Sequence, residues 1–301
     1  MPYRNAKVYY DGGHYIAIPA ENFPSKKRSK PRPKPPKEQT EEQPQTTPKE
    51  LFDTAYNESR TLPKRERKKY IAEKLKDTLP DKKARNEFIE QNMERKNSNE
   101  VRRKIRLLRK LYLQPWNFFL TFTYADDKLT EETFKKKLLN TLKHLVARKG
   151  WKYIGVWERG GEGERLHFHG IFCIPDDGMI GEIIEVKDYS TKQHKMQITK
   201  QNTHFIKHFG RNTFQRLASK EDAEQSMGYI MKYMKKTGAK LLFGGELPTY
   251  FMSDILDDDV LCGFGVDEKK LLLADDFNCI VDGEVIGKVS HEVIELMPKS
   301  N

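Results

Sequence analysis

The sequence predicts an α+β fold, in which an antiparallel sheet of about five strands carries packed helices and is preceded by a basic extension, part helical and part disordered. Three observations predict it. Residues 118–124, 153–158 and 165–174 are short aromatic and β-branched runs of the kind that form buried strands. Residues 130–148 and 219–236 are capped, apolar-striped stretches of helical period. The order strand, helix, strand, strand, insertion, strand, helix suits an antiparallel sheet with helices laid on it.

The elements follow in order. Residues 1–20 alternate apolar and polar positions on either side of Asp11-Gly12-Gly13, the pattern of a small hairpin. Between Ser25 and Lys37 there are seven Lys/Arg and four Pro, and a Glu/Gln/Thr/Pro stretch continues to Pro48. Residues 1–48 are therefore expected to be a basic, mostly disordered arm. Residues 49–113 read as a basic helical region: one helix starts at Pro63, another near Asp81, and residues 101–113 form an amphipathic helix. Its apolar side carries Val101, Ile105 and Leu108, with arginines and lysines around the rest. That basic face suits a phosphate backbone, or simply water.

At Gln114-Pro115 the character changes, and residues 114–240 are expected to form the main domain. Thr130 caps a helix with Phe134, Leu138, Leu142 and Leu145 as its inner stripe, and Gly150 ends it. Gly160-Gly161-Glu162-Gly163 is a turn between two strands. Residues 176–205 are polar and irregular, an inserted hairpin or loop, and 213–217 make a further strand. Ser219 caps a helix that stops at Gly238. Residues 241–301 form an acidic C-terminal extension.

The formal net charge is +11. Residues 241–301 hold four Lys/Arg and thirteen Asp/Glu, so the first 240 residues carry about +20 by the same count. Such a field suits a polyanionic partner. No run of about 18 apolar residues exists to span a membrane, and the N-terminus lacks a signal-peptide pattern. Cys173, Cys262 and Cys279 are scattered and form neither a disulfide framework nor a CxxC metal motif, which points to a reducing cytoplasm.

Two segments carry chemistry. In Leu166-His167-Phe168-His169-Gly170 the histidines sit two apart in a strand, so both imidazoles share one face while Phe168 points into the core. Gly170 is expected to leave room beside them. Glu158, before the Gly-rich turn, can be delivered opposite the pair by the hairpin. Two imidazoles and a carboxylate with open positions suit Mg²⁺, Mn²⁺ or another first-row divalent metal. A salt bridge from Glu158 to Arg159 or Arg165 is the competing explanation.

In the segment from Gly228 to Lys236, Tyr229 and Tyr233 lie one helical turn apart on one face. Lys232 follows the first tyrosine by three and Lys236 the second. A phenol with a pKa near 10 is a poor nucleophile at neutral pH. A neighbouring cation is expected to favour the phenolate and to hold a scissile phosphate. Aromatic i,i+4 pairs also pack helices onto sheets with no chemistry at all.

Together these segments resemble the HUH endonuclease superfamily in its rolling-circle replication initiator branch, the two-tyrosine type. Phe119–Tyr124 (FLTFTY) resembles the first motif, His167-Phe168-His169 the metal motif, and Tyr229 to Tyr233 with Lys232 the tyrosine motif. The likeness spans residues 114–238. It implies a five-stranded antiparallel sheet, a divalent metal (Mg²⁺ or Mn²⁺) on His167 and His169, and site-specific nicking of single-stranded DNA. Tyr229 and Tyr233 would be nucleophiles that form a 5′-phosphotyrosine link, with Lys232 assisting. Glu158 is the expected third ligand, with Glu224 and Gln225 as substitutes. No GxxxxGK[ST] phosphate loop occurs, so a host helicase would unwind the origin DNA and a host DNA polymerase would extend it, in the cytoplasm of a bacterial cell. The competing readings are a transposase or conjugative relaxase of the same chemistry, and a non-enzymatic domain that binds single strands by stacking.

Overall fold

The computed structural model describes residues 3–22, 47–125, 127–160, 165–190, 194–264 and 270–300. Residues 23–46, half of the expected basic arm, and Gly161, Glu162 and Gly163 of the expected turn lie outside them. The chain opens with a hairpin, β1 (Tyr3–Tyr10) and β2 (Tyr15–Ile18), closed around Asp11-Gly12-Gly13 with Tyr10 opposite Tyr15. Three helices follow: α1 (Pro48–Glu58), α2 (Lys64–Lys74) and α3 (Lys82–Tyr112). Next come β3 (Phe118–Thr123), α4 (Glu131–Lys149), β4 (Lys152–Gly160), β5 (Arg165–Cys173), β6 (Ile183–Ser190), β7 (Lys195–Asn202), α5 (Thr203–Phe209), β8 (Asn212–Arg216), α6 (Lys220–Thr237) and β9 (Leu242–Gly244). The chain closes with β10 (Tyr250–Ile255), β11 (Val260–Phe264), β12 (Lys270–Leu273), β13 (Asn278–Val281), β14 (Glu284–Lys288), α7 (His291–Leu296) and β15 (Lys299–Ser300).

The fold is α+β, and its central sheet has five antiparallel strands in the order β8-β3-β5-β4-β9. Period-2 alternation gives this sheet two different faces. One face carries Leu120, Phe122, Tyr153, Phe168, Phe172 and Phe214, buried against the Phe134, Leu138, Leu142 and Leu145 stripe of α4. The other carries Ile154, Val156, Ile171 and Cys173, buried under Ala223, Met227 and Ile230 of α6 and Leu107 and Leu111 of α3. The helix stops follow the sequence signals. Thr130 and Ser219 accept the Thr133 and Asp222 backbone N–H groups, and Gly150 and Gly238 adopt φ of 67° and 70° after the last turn.

Three features differ from the sequence reading. The helices expected near Asp81 and over 101–113 are one 31-residue helix, α3, capped by Asp81. Asn97, Ser98 and Asn99 weaken it there, but no Pro or Gly breaks it. The inserted hairpin expected within 176–205 is the antiparallel ribbon β6–β7, in register from Ile183↔Asn202 to Ser190↔Lys195, but it leads into α5, a helix the sequence did not suggest. The acidic C-terminal stretch supplies β9 to the edge of the central sheet and then builds a second sheet together with the N-terminal hairpin. That sheet runs β11-β12-β2-β1-β10-β13-β14, with β15 also on β10. Ala6, Val8 and Ala17 pack there against Phe251, Ile255, Leu271, Leu273 and Phe277. The C-terminal end of α3 joins the two units: Tyr112 meets Tyr10 edge-on at 5.3 Å, and Arg109 lies 4.0 Å over the Tyr9 ring. Among the described residues, no helix is long and apolar enough to cross a membrane.

Candidate active site

The site lies on the α6 face of the central sheet. Strand β5 pairs with β3 so that Thr121 stands opposite His169 and Thr123 opposite His167. On its other side β5 pairs with β4, which sets Glu158 opposite His167. Alternation puts the two threonines, the two histidines and Glu158 on one face, while Phe168 is fully buried on the other. The β4–β5 register therefore delivers Glu158 to the histidines. Among the described residues neither arginine neighbour claims it: Arg159 pairs with Glu131 at the start of α4, and Arg165 is exposed. Gly170 plays a different part from the one expected. A Cβ there would sit 2.7 Å from the Phe172 ring, on the α4 side, so its bareness serves core packing and opens no space at the histidines.

Each imidazole is held from behind. Thr121 Oγ1 lies 2.9 Å from His169 Nδ1 and Thr123 Oγ1 lies 3.1 Å from His167 Nδ1. The other nitrogen of His169, Nε2, is 2.9 Å from Glu158 Oε2, and both side chains are about nine-tenths buried. A carboxylate only accepts, so Nε2 donates here and the Thr121 hydroxyl donates to Nδ1. When the threonine hydroxyl rotates to accept, Nδ1 takes the proton and Nε2 presents a bare lone pair. That is the tautomer a metal ligand needs.

The tyrosine helix covers this pair. The rings of Tyr229 and Tyr233 are 4.7 Å apart. Tyr229 meets His169 edge-on at 5.3 Å, and Tyr233 is nearly parallel to the same imidazole at 6.2 Å. Tyr229 donates to Glu158 Oε2 at 3.4 Å, and Tyr233 is hydrogen-bonded to both Tyr229 and Glu158. Phe119 closes the side, with its ring 5.8 Å from Tyr229 and 6.2 Å from His169. Glu158 is thus the hub: it accepts from His169 and lies within hydrogen-bond reach of both phenols, which share their two protons among these contacts.

The electrostatics follow from that hub. Burial pushes the Glu158 carboxyl up, but the hydrogen bonds from His169 and Tyr233 outweigh it and hold the group below its ordinary range. Burial, aided by the neighbouring His169, lowers His167 and keeps it neutral at physiological pH. Tyr229 is raised far above an ordinary phenol by burial, by its bond with Tyr233 and by the Glu158 charge. Burial also raises Tyr233. Among the described residues no lysine acts on either phenol, and Lys232 is exposed without an ion pair among them. The side chain of Lys236 lies outside the described residues. Of the two substitute ligands, Glu224 is hydrogen-bonded to Tyr112 rather than to the histidines, and Gln225 is exposed one turn before Tyr229.

The donor set fits a divalent cation in kind. Octahedral Mg²⁺ takes ligands at about 2.1 Å, which puts adjacent donors about 3.0 Å apart. The 2.9 Å between His169 Nε2 and Glu158 Oε2 matches that edge. His167 stands beside them with its ring centre 5.7 Å from that of His169. Among the described residues, no three His, Cys, Asp or Glu side chains converge on one point. His167 would have to swing toward the His169–Glu158 edge.

Thr121, Thr123 and Phe119 were not singled out from the sequence, although their alternation in FLTFTY was visible. What was missing was the strand register, a non-local property. The sequence profile of the replication-associated protein ORF2/G2P family matches residues 117–238, which is 122 of the 301 residues. No curated protein and no solved structure matches the chain. The matched segment runs from the start of β3 to the Gly238 cap of α6, so the part of the chain that carries both histidines, Glu158 and both tyrosines is similar to replication-associated proteins.

Proposed function

We propose that this protein initiates DNA replication by cutting and rejoining single-stranded DNA through a tyrosine, as a rolling-circle initiator of the two-tyrosine type. The observation that carries the reading is the convergence of Tyr229 and Tyr233 on the Glu158–His169 pair, within the segment similar to replication-associated proteins. A phenol oxygen attacks the scissile phosphorus, a P–O phosphotyrosine bond forms at the 5′ end, and the bond to the 3′ oxygen breaks. The phenol proton leaves to Glu158, which lies within hydrogen-bond reach of both hydroxyls, and the departing 3′ oxygen takes up a proton from water to give a 3′-hydroxyl. Two tyrosines on one turn allow a second transfer without release of the first product.

The phenols as they stand are poor nucleophiles, so the site needs added positive charge. His167, His169 and Glu158 would hold a divalent cation, Mg²⁺ or Mn²⁺, which when bound polarises the phosphoryl oxygens and offsets the charge of the transition state. Lys232 and Lys236, each three residues after a tyrosine, would hold the phosphates on the tyrosine helix. Unwinding and extension fall to a host helicase and a host polymerase.

The test is a labelled origin single strand incubated with the full chain and Mn²⁺, resolved on a denaturing gel. The wild type should form a covalent adduct, and each of Tyr229→Phe and Tyr233→Phe should retain one transfer. Tyr229→Phe combined with Tyr233→Phe should form none. A persistent adduct in the double variant would sink the assignment.

A further inference from the structure

A groove of ≈ 1200 Å³ runs between α3, the segment that follows α6, and the second sheet. Its charge is one-sided. Arg102, Arg103, Arg106, Arg109 and Lys110 come from α3, Lys240 comes from the segment before β9, and none of the described residues that line it is acidic. Arg102, Arg103, Arg106 and Lys240 are exposed and have no ion pair among the described residues. Arg106 lies three or four residues from four other cations on the same helix, so like charges repel along that face. A polyanion would relieve that repulsion.

The groove also carries aromatic faces. Phe243, on the three-residue edge strand β9, is 49% exposed. Tyr9 and Tyr250 lie 5.5 Å apart at the far end, one from each terminal segment of the chain. Each of the three rings has a cation over it: Lys110 at 5.6 Å from Phe243, Arg109 at 4.0 Å from Tyr9 and Lys7 at 5.0 Å from Tyr250. Cations for phosphates beside an exposed ring, Phe243, for a base are the recognition chemistry of unpaired nucleic acid. A duplex keeps its bases stacked on one another and gains nothing from an open phenylalanine. Lys240, on its wall, follows the Gly238 cap of the tyrosine helix by two residues, so the groove adjoins the C-terminal end of that helix.

We infer that this groove is a second, metal-independent binding track for single-stranded DNA, formed jointly by α3, β9 and the Tyr9–Tyr250 pair. The function proposed above supplies the identity of the strand; the binding itself does not depend on the nicking chemistry. The experiment uses the full chain with a labelled 20-nucleotide oligo(dT) and a duplex of equal length in EDTA, followed by fluorescence anisotropy across a salt series. Arg102→Glu with Arg106→Glu should weaken single-strand binding by about tenfold or more near physiological salt. It should also make the slope of log K against log salt shallower by about 1.4, from about 0.7 for each phosphate no longer neutralised. Phe243→Ala should weaken oligo(dT) binding by roughly five- to a hundredfold and leave duplex binding unchanged, while Phe243→Trp should restore it.

Thermal melts of each variant will separate loss of binding from loss of fold, and an exposed edge residue is not expected to unfold the chain. Equal loss of single-strand and duplex affinity in Phe243→Ala, or no loss in either, overturns the track. Because EDTA silences the nicking reaction, failure of the tyrosine assignment would leave the anisotropy result standing, and the reverse holds too.

Discussion

Thr121 and Thr123 decide what the histidines can do, because each hydroxyl meets an Nδ1 and so sets which ring nitrogen faces the site. Thr121→Val keeps the shape and the strand preference but removes the hydroxyl behind the buried His169 ring that fixes its tautomer. Loss of such a partner typically costs 10–100-fold in metal affinity, so calorimetric titration of Thr121→Val with Mn²⁺ should show a drop of roughly that size. Stability should fall by only about 1 kcal/mol, the net worth of one hydrogen bond. Unchanged Mn²⁺ affinity would mean that His169 is not a ligand. The histidines, Glu158 and the tyrosines were legible because local spacing places them: period 2 in a strand, 3.6 in a helix, and a hairpin that faces one strand with the next. The threonines were not, since their role depends on a β3–β5 pairing across 48 residues for Thr121 and His169. Spacing put lysines near the phenols; among the described residues the groups that reach them are Glu158 and one another, and burial together with these raises the pKa of Tyr229.

At the scale of the element, α6 has to be both a packing helix and a reactive surface. Its inner face, Ala223, Met227 and Ile230, is buried against the sheet, and its outer turn presents Tyr229, 37% exposed. Between these sits Gly228, a residue that weakens a helix interior, and a Cβ built there meets nothing within 4 Å. The protein alone therefore has no steric need for glycine at this position. Gly228→Ala should raise stability by about 0.5–1 kcal/mol, or a melting temperature higher by roughly 2 °C for a chain of this size. If a DNA backbone approaches the helix at Tyr229, the same variant should lose adduct formation while melting higher. Full activity together with the higher melting temperature would show that no strand comes that close. Long elements with caps, α4 and α6 above all, could be read from the sequence to within a residue or two. The three-residue β9 could not, because its pairing with Tyr153–Gly155 comes from a neighbouring strand and leaves almost no periodicity of its own.

The whole molecule joins its two ends. Strand β1 lies between β2 and β10, so the N-terminal hairpin sits inside the sheet that the C-terminal strands complete. Composition concealed this: the basic N-terminal stretch and the acidic C-terminal stretch read as separate extensions, yet Ala6, Val8 and Ala17 are fully buried among C-terminal side chains. Removing residues 1–18 would strip two inner strands and leave β10 and β12 with open edges and an uncovered apolar face. Hydrogen exchange should then show Tyr250–Ile255 and Lys270–Leu273 losing protection, with β3, β4 and β5 largely unaffected. A clean test of the basic arm must therefore spare the hairpin. Replacing Lys26, Lys27, Arg28, Lys30, Arg32, Lys34 and Lys37 by Gln removes seven charges without shortening the chain. Those substitutions should leave the exchange pattern untouched and flatten the salt dependence of duplex binding, by about 0.9 in slope for each phosphate that the arm no longer neutralises. If the strands at 250–255 stay protected without residues 1–18, the two ends are not a single folding unit. The groove built from Tyr9 on one terminal segment and Tyr250 on the other would then have no rigid floor.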